Sequence, residues 1–293
     1  MIKKAVILCG GMATRFLPIS KSIPKEMFPL LDKPILQVLI EDLKKAGIED
    51  VIIVLGRGKE CIMRHFDHNI ELEQRLKESG KLDYLEIATK PNKLVNMYYT
   101  MQDEPKGTGH AIKLVKSFVG KDPFVLLFGD EVMLCDGKNE IEQLIENYNK
   151  YKTTVMAVQK CRWEDTYKYG IIKPKTLEDG VYSVLDMVEK PKVEDAPSNI
   201  VYLGPAILTS EIFDKLDLCK EVEGKELYLT DAFCKLAKEN KLYAQEINGK
   251  RFDMGNKFGF VQANIVACLN DENFKKDMKE YILTLAKEFD ERN

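Results

Sequence analysis

The chain has 293 residues, 45% of them hydrophobic and 31% charged, which is typical of a globular protein with a sizeable core. It carries 44 Lys and Arg against 47 Asp and Glu, and its net charge of −3 excludes a strongly basic nucleic-acid-binding protein. Because only three His are present, neither a His-rich zinc site nor a Ser-His-Asp triad is indicated.

No apolar run approaches the length of about 18 residues that spans a bilayer, so we expect no membrane partner. The N-terminal apolar run is too short for the core of a signal peptide. The seven Cys are scattered, and none belongs to a Cys-x-x-Cys pair, which is typical of reduced thiols. These features predict a cytoplasmic protein.

Apolar runs alternate with helical patterns over the first part of the chain. The runs predict strands at 5–9, 51–55, 85–89, 124–128 and 153–159. Helical spacing of apolar residues predicts helices at 34–46, 61–77, 109–118 and 139–150. This alternation favours a Rossmann-like α/β fold, in which helices flank a mostly parallel or mixed sheet.

Gly and Pro interrupt this pattern over residues 160–205, where we expect small β insertions beside the sheet. Helical spacing returns at 210–216, 229–239, 256–269 and 274–289, as a C-terminal helical extension. Because no linker or repeat is visible, we expect one domain over 1–293, with an α/β core over about 1–205 and the remaining core and helices over about 206–293. A division into two domains near residue 205 is the weaker alternative.

A Gly-Gly pair, Gly10 and Gly11, follows the first predicted strand. The backbone N–H groups of such a pair can approach an anionic ligand, and Arg15 adds a cation suited to phosphate oxygens. The loop matches neither a P-loop nor the Gly-x-Gly-x-x-Gly fingerprint of dinucleotide-binding proteins. The alternative interpretation is a Gly-rich turn without a ligand.

The segment after this loop contains Lys25 and Glu26 among three prolines, which hold it extended. A Lys that is preorganised beside the Gly-rich loop suits a polyphosphate. The alternative is a solvated Lys and Glu in a loop.

Asp130 follows the predicted strand at 124–128, at the end of the strand where open α/β sheets present ligand groups. Mg²⁺ is usually held by one or two carboxylates together with substrate phosphates, so Asp130 with Asp253 could form a sparse metal site. The alternative is an Asp that caps a turn. We expect Glu131, the adjacent residue, to point the other way.

Residues 10–18 are Gly-Gly-Met-Ala-Thr-Arg-Phe-Leu-Pro, and residues 23–34 are Ile-Pro-Lys-Glu-Met-Phe-Pro-Leu-Leu-Asp-Lys-Pro. Together they resemble the N-terminal signature of sugar-nucleotide pyrophosphorylases, and most of all that of the bacterial UTP-glucose-1-phosphate uridylyltransferases. Further blocks resemble this family in the expected order, at 102–111, 129–130, 169–172, 188–192, 196–199, 229–232 and 249–259. The match covers residues 3 to about 265.

The resemblance implies a nucleotidyltransferase fold that binds nucleotide and sugar within about 1–205. It implies that the phosphate of glucose 1-phosphate attacks the α-phosphorus of UTP and displaces pyrophosphate, with Mg²⁺ as the cofactor. It also implies UTP and a sugar 1-phosphate as small-molecule partners, and a homodimer or homotetramer. Such a reaction needs charge neutralisation and in-line positioning more than a covalent nucleophile.

The resemblance also implies a set of phosphate- and metal-binding residues. Arg15 and Lys25 would be catalytic cations on the triphosphate, with Glu26 beside them in the substrate site. Asp130 would bind Mg²⁺ and substrate, and Asp253 would be the second metal ligand.

The implied base-binding residues are Gly10 and Gly11, whose backbone would contact the uracil, and two residues of the block at 102–111. Gln102 would bind the uracil edge, because its side-chain amide offers one donor and one acceptor to an imide. Gly107 would close the base pocket.

On the sugar side, Glu189 would accept hydrogen bonds from sugar hydroxyls, Lys190 would be a catalytic cation on the sugar phosphate, and Gly170 would leave room for the sugar. The neighbouring charges of Glu189 and Lys190 are expected to point apart, as successive residues of a strand do. Without the resemblance, the interpretation would be a surface charge pair.

The chain departs from the family pattern in the loop, at Gly10 and Ala13, and on the sugar side, at 204–206 and 226–232. Ala13 stands where the family usually has Gly, and if this position has a positive φ, Ala costs about 1 kcal/mol there. Gly-Pro-Ala at 204–206 replaces the usual Gly-Arg-Tyr on the sugar side. The alternatives are therefore thymidylyl transfer, transfer to another sugar phosphate, or a non-catalytic protein that binds sugar nucleotides.

Overall fold

The computed structural model describes residues 1–219 and 226–291. The strands are β1 (Lys4–Cys9), β2 (Pro29–Leu30), β3 (Lys33–Pro34), β4 (Asp50–Leu55), β5 (Asn96–Met101), β6 (Phe124–Phe128), β7 (Glu131–Leu134), β8 (Thr154–Lys160), β9 (Gly170–Glu178), β10 (Val181–Glu189), β11 (Ile200–Leu208), β12 (Leu242–Glu246) and β13 (Lys250–Asp253). The α-helices are α1 (Ile35–Lys45), α2 (Glu60–Phe66), α3 (Ile70–Glu78), α4 (Leu82–Thr89), α5 (Thr108–Lys113), α6 (Lys116–Val119), α7 (Glu140–Tyr151), α8 (Glu211–Asp217), α9 (Leu229–Lys238), α10 (Lys257–Asn270) and α11 (Lys275–Asp290).

A nine-stranded mixed sheet forms the centre, in the order β5-β4-β1-β6-β11-β8-β12-β10-β9. Strands β5, β4, β1 and β6 are parallel, whereas β11 runs antiparallel to both β6 and β8. Two small sheets, β7 with β13 and β2 with β3, lie outside it. This architecture confirms the predicted mixed sheet flanked by helices.

Two apolar layers cover the faces of the sheet, because successive strand residues point to opposite sides. In β1, Ala5 and Ile7 belong to the layer that includes α1 and α7, whereas Val6 and Leu8 belong to the layer that includes α5, α8 and α9. The sheet is therefore buried on both sides, and its accessible functional groups lie at the strand ends.

The strand predicted at 85–89 is wrong, since these residues belong to helix α4. Its apolar Leu82 and Ile87 are 62% and 68% exposed, so the run reflects a surface helix and not a buried strand. The strand that pairs with β4 is β5, an edge strand whose residues are only partly buried. An edge strand with Asn, Thr and Tyr lacks the continuous apolar run of a central strand, which explains why the pattern did not predict it.

Two predicted helices each consist of two shorter ones. The helix at 61–77 is divided into α2 and α3, where the Asn69 side chain accepts a hydrogen bond from the Leu72 N–H and starts a new helix. The helix at 109–118 is divided into α5 and α6. The remaining predicted elements of the sheet and the C-terminal helices are present within one or two residues of their predicted ends.

Candidate functional site

Two adjoining cavities open at the carboxyl ends of β1 and β6. The first cavity, of about 230 Å³, is lined among others by Gly10, Gly11, Lys25, Glu26, Gln102, Gly107 and Asp130. The second cavity, of about 380 Å³, is lined among others by Lys25, Asp130, Glu131, Gly170, Glu189, Lys190 and Arg251. Lys25 and Asp130 line both cavities, so the two spaces meet at this pair.

Lys25 lies in a 3₁₀ turn, Lys25–Met27, that follows the extended Pro24. Its ammonium forms an ion pair with Asp130, and both side chains are largely buried. Burial alone would lower the pKa of Lys25, but the charge of Asp130 and its hydrogen bond outweigh burial and raise the pKa. Lys25 is therefore a fixed cation. A Cβ at Gly11 would lie 3.5 Å from its Nζ, an ordinary contact distance, so the lysine packs directly on the loop.

The Gly-rich loop has a left-handed residue at Ala13, with φ of 51° and ψ of 40°. Ala13 therefore has the positive φ at which a residue with a Cβ costs about 1 kcal/mol more than glycine. The short 3₁₀ turn after it, Thr14–Phe16, buries Phe16 against Phe28 at a ring distance of 4.8 Å. Arg15 lies on this turn with an exposed side chain, and neither described cavity lining includes it.

Glu26 is completely buried and forms an ion pair with Lys59, whose Nζ lies 2.7 Å from Oε1. Lys59 itself is 6% exposed. Because an unpaired buried carboxylate is costly, Lys59 is what permits Glu26 to line the cavity. Sequence reasoning missed Lys59. The signal in the sequence was its position shortly after the strand predicted at 51–55. In the structure this segment packs on the Gly-rich loop, because a Cβ at Gly56 would lie 2.7 Å from the Gly10 carbonyl oxygen.

Gln102 follows the edge strand β5, with a side chain that is 8% exposed. Its Nε2 donates to the carbonyl oxygen of Gly107 at 3.2 Å and lies 3.0 Å from His110 Nδ1. Gly107 has a φ of 93°, and a Cβ there would lie 2.5 Å from the Leu227 carbonyl oxygen. Only glycine fits this position. Gln102 and Gly107 line the first cavity together with Gly10 and Gly11, so the base-binding residues implied by the resemblance share one cavity.

Asp130 and Asp253 are brought together by the small sheet of β7 and β13. Asp253 is in register with Glu131, and the Met254 N–H donates to the Asp130 carbonyl oxygen at 3.0 Å. A Cβ at Gly255 would lie 2.8 Å from Asp130 Oδ2 and 3.0 Å from Asp253 Oδ1, so both carboxylates face the same small space. Two carboxylates suit a hard divalent cation that takes its other ligands from substrate phosphates. No cluster of three or more His, Cys, Asp or Glu that could hold a metal occurs in the described part of the chain.

The other side of the second cavity is formed where β9 pairs with β10. Gly170 is in register with Glu189, and a Cβ at Gly170 would lie 3.2 Å from Glu189 Oε2. Lys190 follows the strand with a φ of 46°, and its N–H donates to the Tyr169 carbonyl oxygen at 3.0 Å. The prediction that Glu189 and Lys190 point apart is wrong: Lys190 Nζ lies 3.7 Å from Glu189 Oε1. The left-handed residue ends the strand and its alternation.

Glu131 also faces the second cavity, contrary to the prediction that it points away. It begins β7 in a separate small sheet, so the alternation of β6 does not extend to it. Arg251 of β13 donates to it twice, from Nε at 2.8 Å and from Nη2 at 2.7 Å. The only sequence signal for this pair was the charge of the two residues, because their strand pairing spans more than a hundred residues of chain.

The chain resembles known proteins both in sequence and in structure. Residues 4–268 match the family model described as nucleotidyl transferase. The chain is 44% identical to the UTP–glucose-1-phosphate uridylyltransferase of Staphylococcus epidermidis, over 97% of this chain and 98% of that protein.

Two solved structures are similar along nearly the whole chain. One is a UDP-glucose pyrophosphorylase complexed with UDP-glucose, with a TM-score of 0.83, 36% identity, and coverage of 92% of this chain and 100% of that one. The other is a UTP-bound UGPase from Acinetobacter baumannii, with a TM-score of 0.88, 33% identity, and coverage of 97% and 99%. Within the described residues, no helix has the length and apolar character needed to cross a membrane.

Proposed function

Because this chain belongs to the nucleotidyl transferase family, we propose that it forms UDP-glucose and pyrophosphate from UTP and glucose 1-phosphate. The observation that carries the proposal is the meeting of two cavities at Lys25 and Asp130. One cavity has the size and amide groups for a base, and the other has the carboxylate and cation for a sugar phosphate. The phosphates of both substrates would meet at the shared pair.

The first cavity binds the nucleotide in this proposal. The backbone at Gly10 and Gly11 and the amide of Gln102 contact the uracil, and Gly107 closes the pocket. Lys25 neutralises the triphosphate and the departing pyrophosphate, because a fixed cation in a partly desolvated site stabilises developing charge. Arg15 reaches the outer phosphates from its exposed turn when UTP is bound.

The second cavity binds glucose 1-phosphate. Glu189 accepts hydrogen bonds from sugar hydroxyls, and Gly170 leaves the space for the ring beside it. Lys190 binds the sugar phosphate and holds the attacking oxygen in line with the α-phosphorus, which supplies the positioning part of the rate acceleration. Glu26 supports the shared centre through its buried pair with Lys59.

Asp130 and Asp253 would hold Mg²⁺, whose chemistry is to neutralise phosphate charge and polarise the α-phosphate. The support is the donor set: two carboxylates facing one small space beside Lys25. Lys25 keeps Asp130 oriented towards this space.

We also propose a single domain over 1–293 that acts in the cytoplasm as a homodimer or homotetramer. The central sheet supports the single domain, because β12, which follows residue 205, lies in the sheet between β8 and β10, which precede it. Exposed apolar side chains of α11 support an interface between copies, among them Tyr281 at 59% and Leu283 at 55% exposure.

The test is a panel of UTP and dTTP against glucose 1-phosphate and other sugar 1-phosphates, with Mg²⁺ present and pyrophosphate release as the readout. We expect the highest kcat/KM with UTP and glucose 1-phosphate. Preference for dTTP would favour thymidylyl transfer, and preference for another sugar phosphate would favour a different UDP-sugar product. Binding of UDP-glucose without any release of pyrophosphate would favour the non-catalytic alternative.

A further inference from the structure

Arg251 touches two groups on the wall of the second cavity. The first is Glu131, to which its guanidinium donates two hydrogen bonds, at 2.8 and 2.7 Å. The side chains of Arg251 and Glu131 are 16% and 19% exposed. Two parallel N–H donors to one carboxylate fix the plane of the guanidinium as well as its position.

The same guanidinium lies over an aromatic ring. Its Cζ is 5.0 Å from the centroid of the Tyr169 ring, within the range of a cation–π contact. Arg251 thus joins the small sheet of β7 and β13 to the residue that precedes β9.

Tyr169 in turn holds the backbone of Lys190. Its carbonyl oxygen accepts the Lys190 N–H at 3.0 Å, and the next residue pair in the ladder is Gly170 with Glu189. Lys190 has a φ of 46°, a conformation that costs a side-chain-bearing residue free energy and persists only where its surroundings enforce it. The Tyr169 carbonyl is one of the groups that enforce it.

We propose that Arg251 is a positioning residue for the sugar phosphate: held by Glu131, it fixes the Tyr169 ring and thereby the backbone that aims Lys190 into the second cavity. The inference rests on the proposed function, since it assigns Arg251 to the sugar side of that site. Arg251 acts through Tyr169, and the first cavity has no part in this chain of contacts.

The test is the replacement Arg251→Lys, which keeps the charge but loses the bidentate contact and the flat surface on the ring. We expect the KM for glucose 1-phosphate to rise about tenfold, with less than about a twofold change in the KM for UTP, because only the sugar-phosphate cation is misplaced. Arg75→Lys is the control, because Arg75 also pairs with a carboxylate, Glu71, but its side chain is 76% exposed on helix α3 and it lines neither cavity.

A second pair of variants tests the route through Tyr169 and replaces the first if Arg251→Lys does not fold. Tyr169→Leu removes the ring and should raise the KM for glucose 1-phosphate to a similar extent. Tyr169→Phe keeps the ring but loses the hydroxyl, whose hydrogen bond also reaches Arg251, and should recover part of that loss.

Equal rises in both KM values, or the same effect from Arg75→Lys, would overturn the role of Arg251. So would a Tyr169→Leu variant whose KM for glucose 1-phosphate is unchanged. If the wild-type protein releases pyrophosphate but the KM values do not separate in this way, only the inference fails. If the wild type releases none with any substrate pair, the proposed function fails and the inference fails with it.

Discussion

The two cavities are built in different ways. The first lies at the carboxyl ends of the parallel strands β1, β5 and β6, which Gly10, Gln102 and Asp130 follow within one or two residues. The second is framed by antiparallel pairs, β9 with β10 and β7 with β13, whose partners are brought together from distant parts of the chain.

The two cavities also differ in how the lysine proposed to bind phosphate is held in position. Lys25 is fixed by ion pairing with Asp130 in a buried cluster that also contains Glu26 and Lys59. Lys190 is 62% exposed at its side chain and is aimed by a strained backbone. Substitutions in the buried cluster of the first cavity should therefore affect stability strongly, whereas substitution of the exposed Lys190 should affect turnover with little loss of stability.

The largest expected effect is that of Lys190→Ala on turnover. Loss of one cation that neutralises transition-state charge lowers kcat/KM by about 10²–10³. The free energy of unfolding should change by less than about 1 kcal/mol, because the side chain is exposed. Steady-state kinetics and denaturant unfolding measure the two quantities. Lys192→Ala, at an exposed residue two positions later, is the control and should leave both nearly unchanged.

The next effect is that of Lys59→Met on stability, on the side of the first cavity. The replacement leaves the fully buried Glu26 carboxylate without its partner, which costs about 3–5 kcal/mol. Adding Glu26→Gln should recover part of this loss. Lys3→Met breaks the exposed pair with Glu49 and should cost less than about 1 kcal/mol. Similar losses of unfolding free energy for Lys59→Met and Lys3→Met in urea would contradict the claim that a buried ion pair stabilises the first cavity.

A buried carboxyl outside both cavities gives the stability a pH dependence of its own. Glu140, at the start of α7, is 1% exposed, and its Oε2 is buried with no hydrogen-bond partner among the described residues. Burial, together with the charge of Asp42, raises the pKa of Glu140 from 4.5 to about 8. Between these values the folded protein keeps a proton that the unfolded chain has lost, so this group makes stability fall as pH rises.

Glu140→Gln should remove this contribution and stabilise the protein at pH 8 by about 1–3 kcal/mol relative to the wild type. The gain should shrink towards pH 5, where the wild-type carboxyl is protonated in the folded state. Glu146→Gln, on the exposed side of the same helix, is the control. A gain that is the same at pH 5 and pH 8 would contradict the raised pKa of Glu140 in the folded protein.

The smallest effect concerns the loop of the first cavity. Ala13→Gly should stabilise the protein by about 1 kcal/mol, because Ala13 has a positive φ that glycine adopts without strain. Ala88→Gly, inside helix α4, is the matched control and should destabilise by about 1 kcal/mol. Thermal unfolding of both variants checks the opposite signs.

The contrast between the cavities also explains what the sequence could predict. Two kinds of short sequence signal predicted the residues of the first cavity. Gly10 and Gly11 follow the predicted strand at 5–9, and Lys25 and Gln102 lie in contiguous blocks that resemble the family. Lys59 lies outside these blocks, and no pattern around it indicates that its side chain is buried. Its pairing with Glu26 depends on how the loop after β4 packs on the loop after β1.

The second cavity depends on register between distant strands, which no local pattern contains. Glu131 was expected to point away because the chain was assumed to continue the alternation of β6, whereas it enters a new sheet with β13. Arg251 was not singled out for the same reason. The alternation rule failed at Lys190 as well, because its left-handed backbone ends the strand.

The most direct test of the account is the stoichiometry of the reaction of the purified wild-type protein with UTP, glucose 1-phosphate and Mg²⁺, followed by ³¹P NMR. The account predicts that UDP-glucose and pyrophosphate appear in equal amounts and at the same rate, with no free UDP or inorganic phosphate. Conversion of UTP to UDP and phosphate, or no conversion while UDP-glucose still binds, would contradict it.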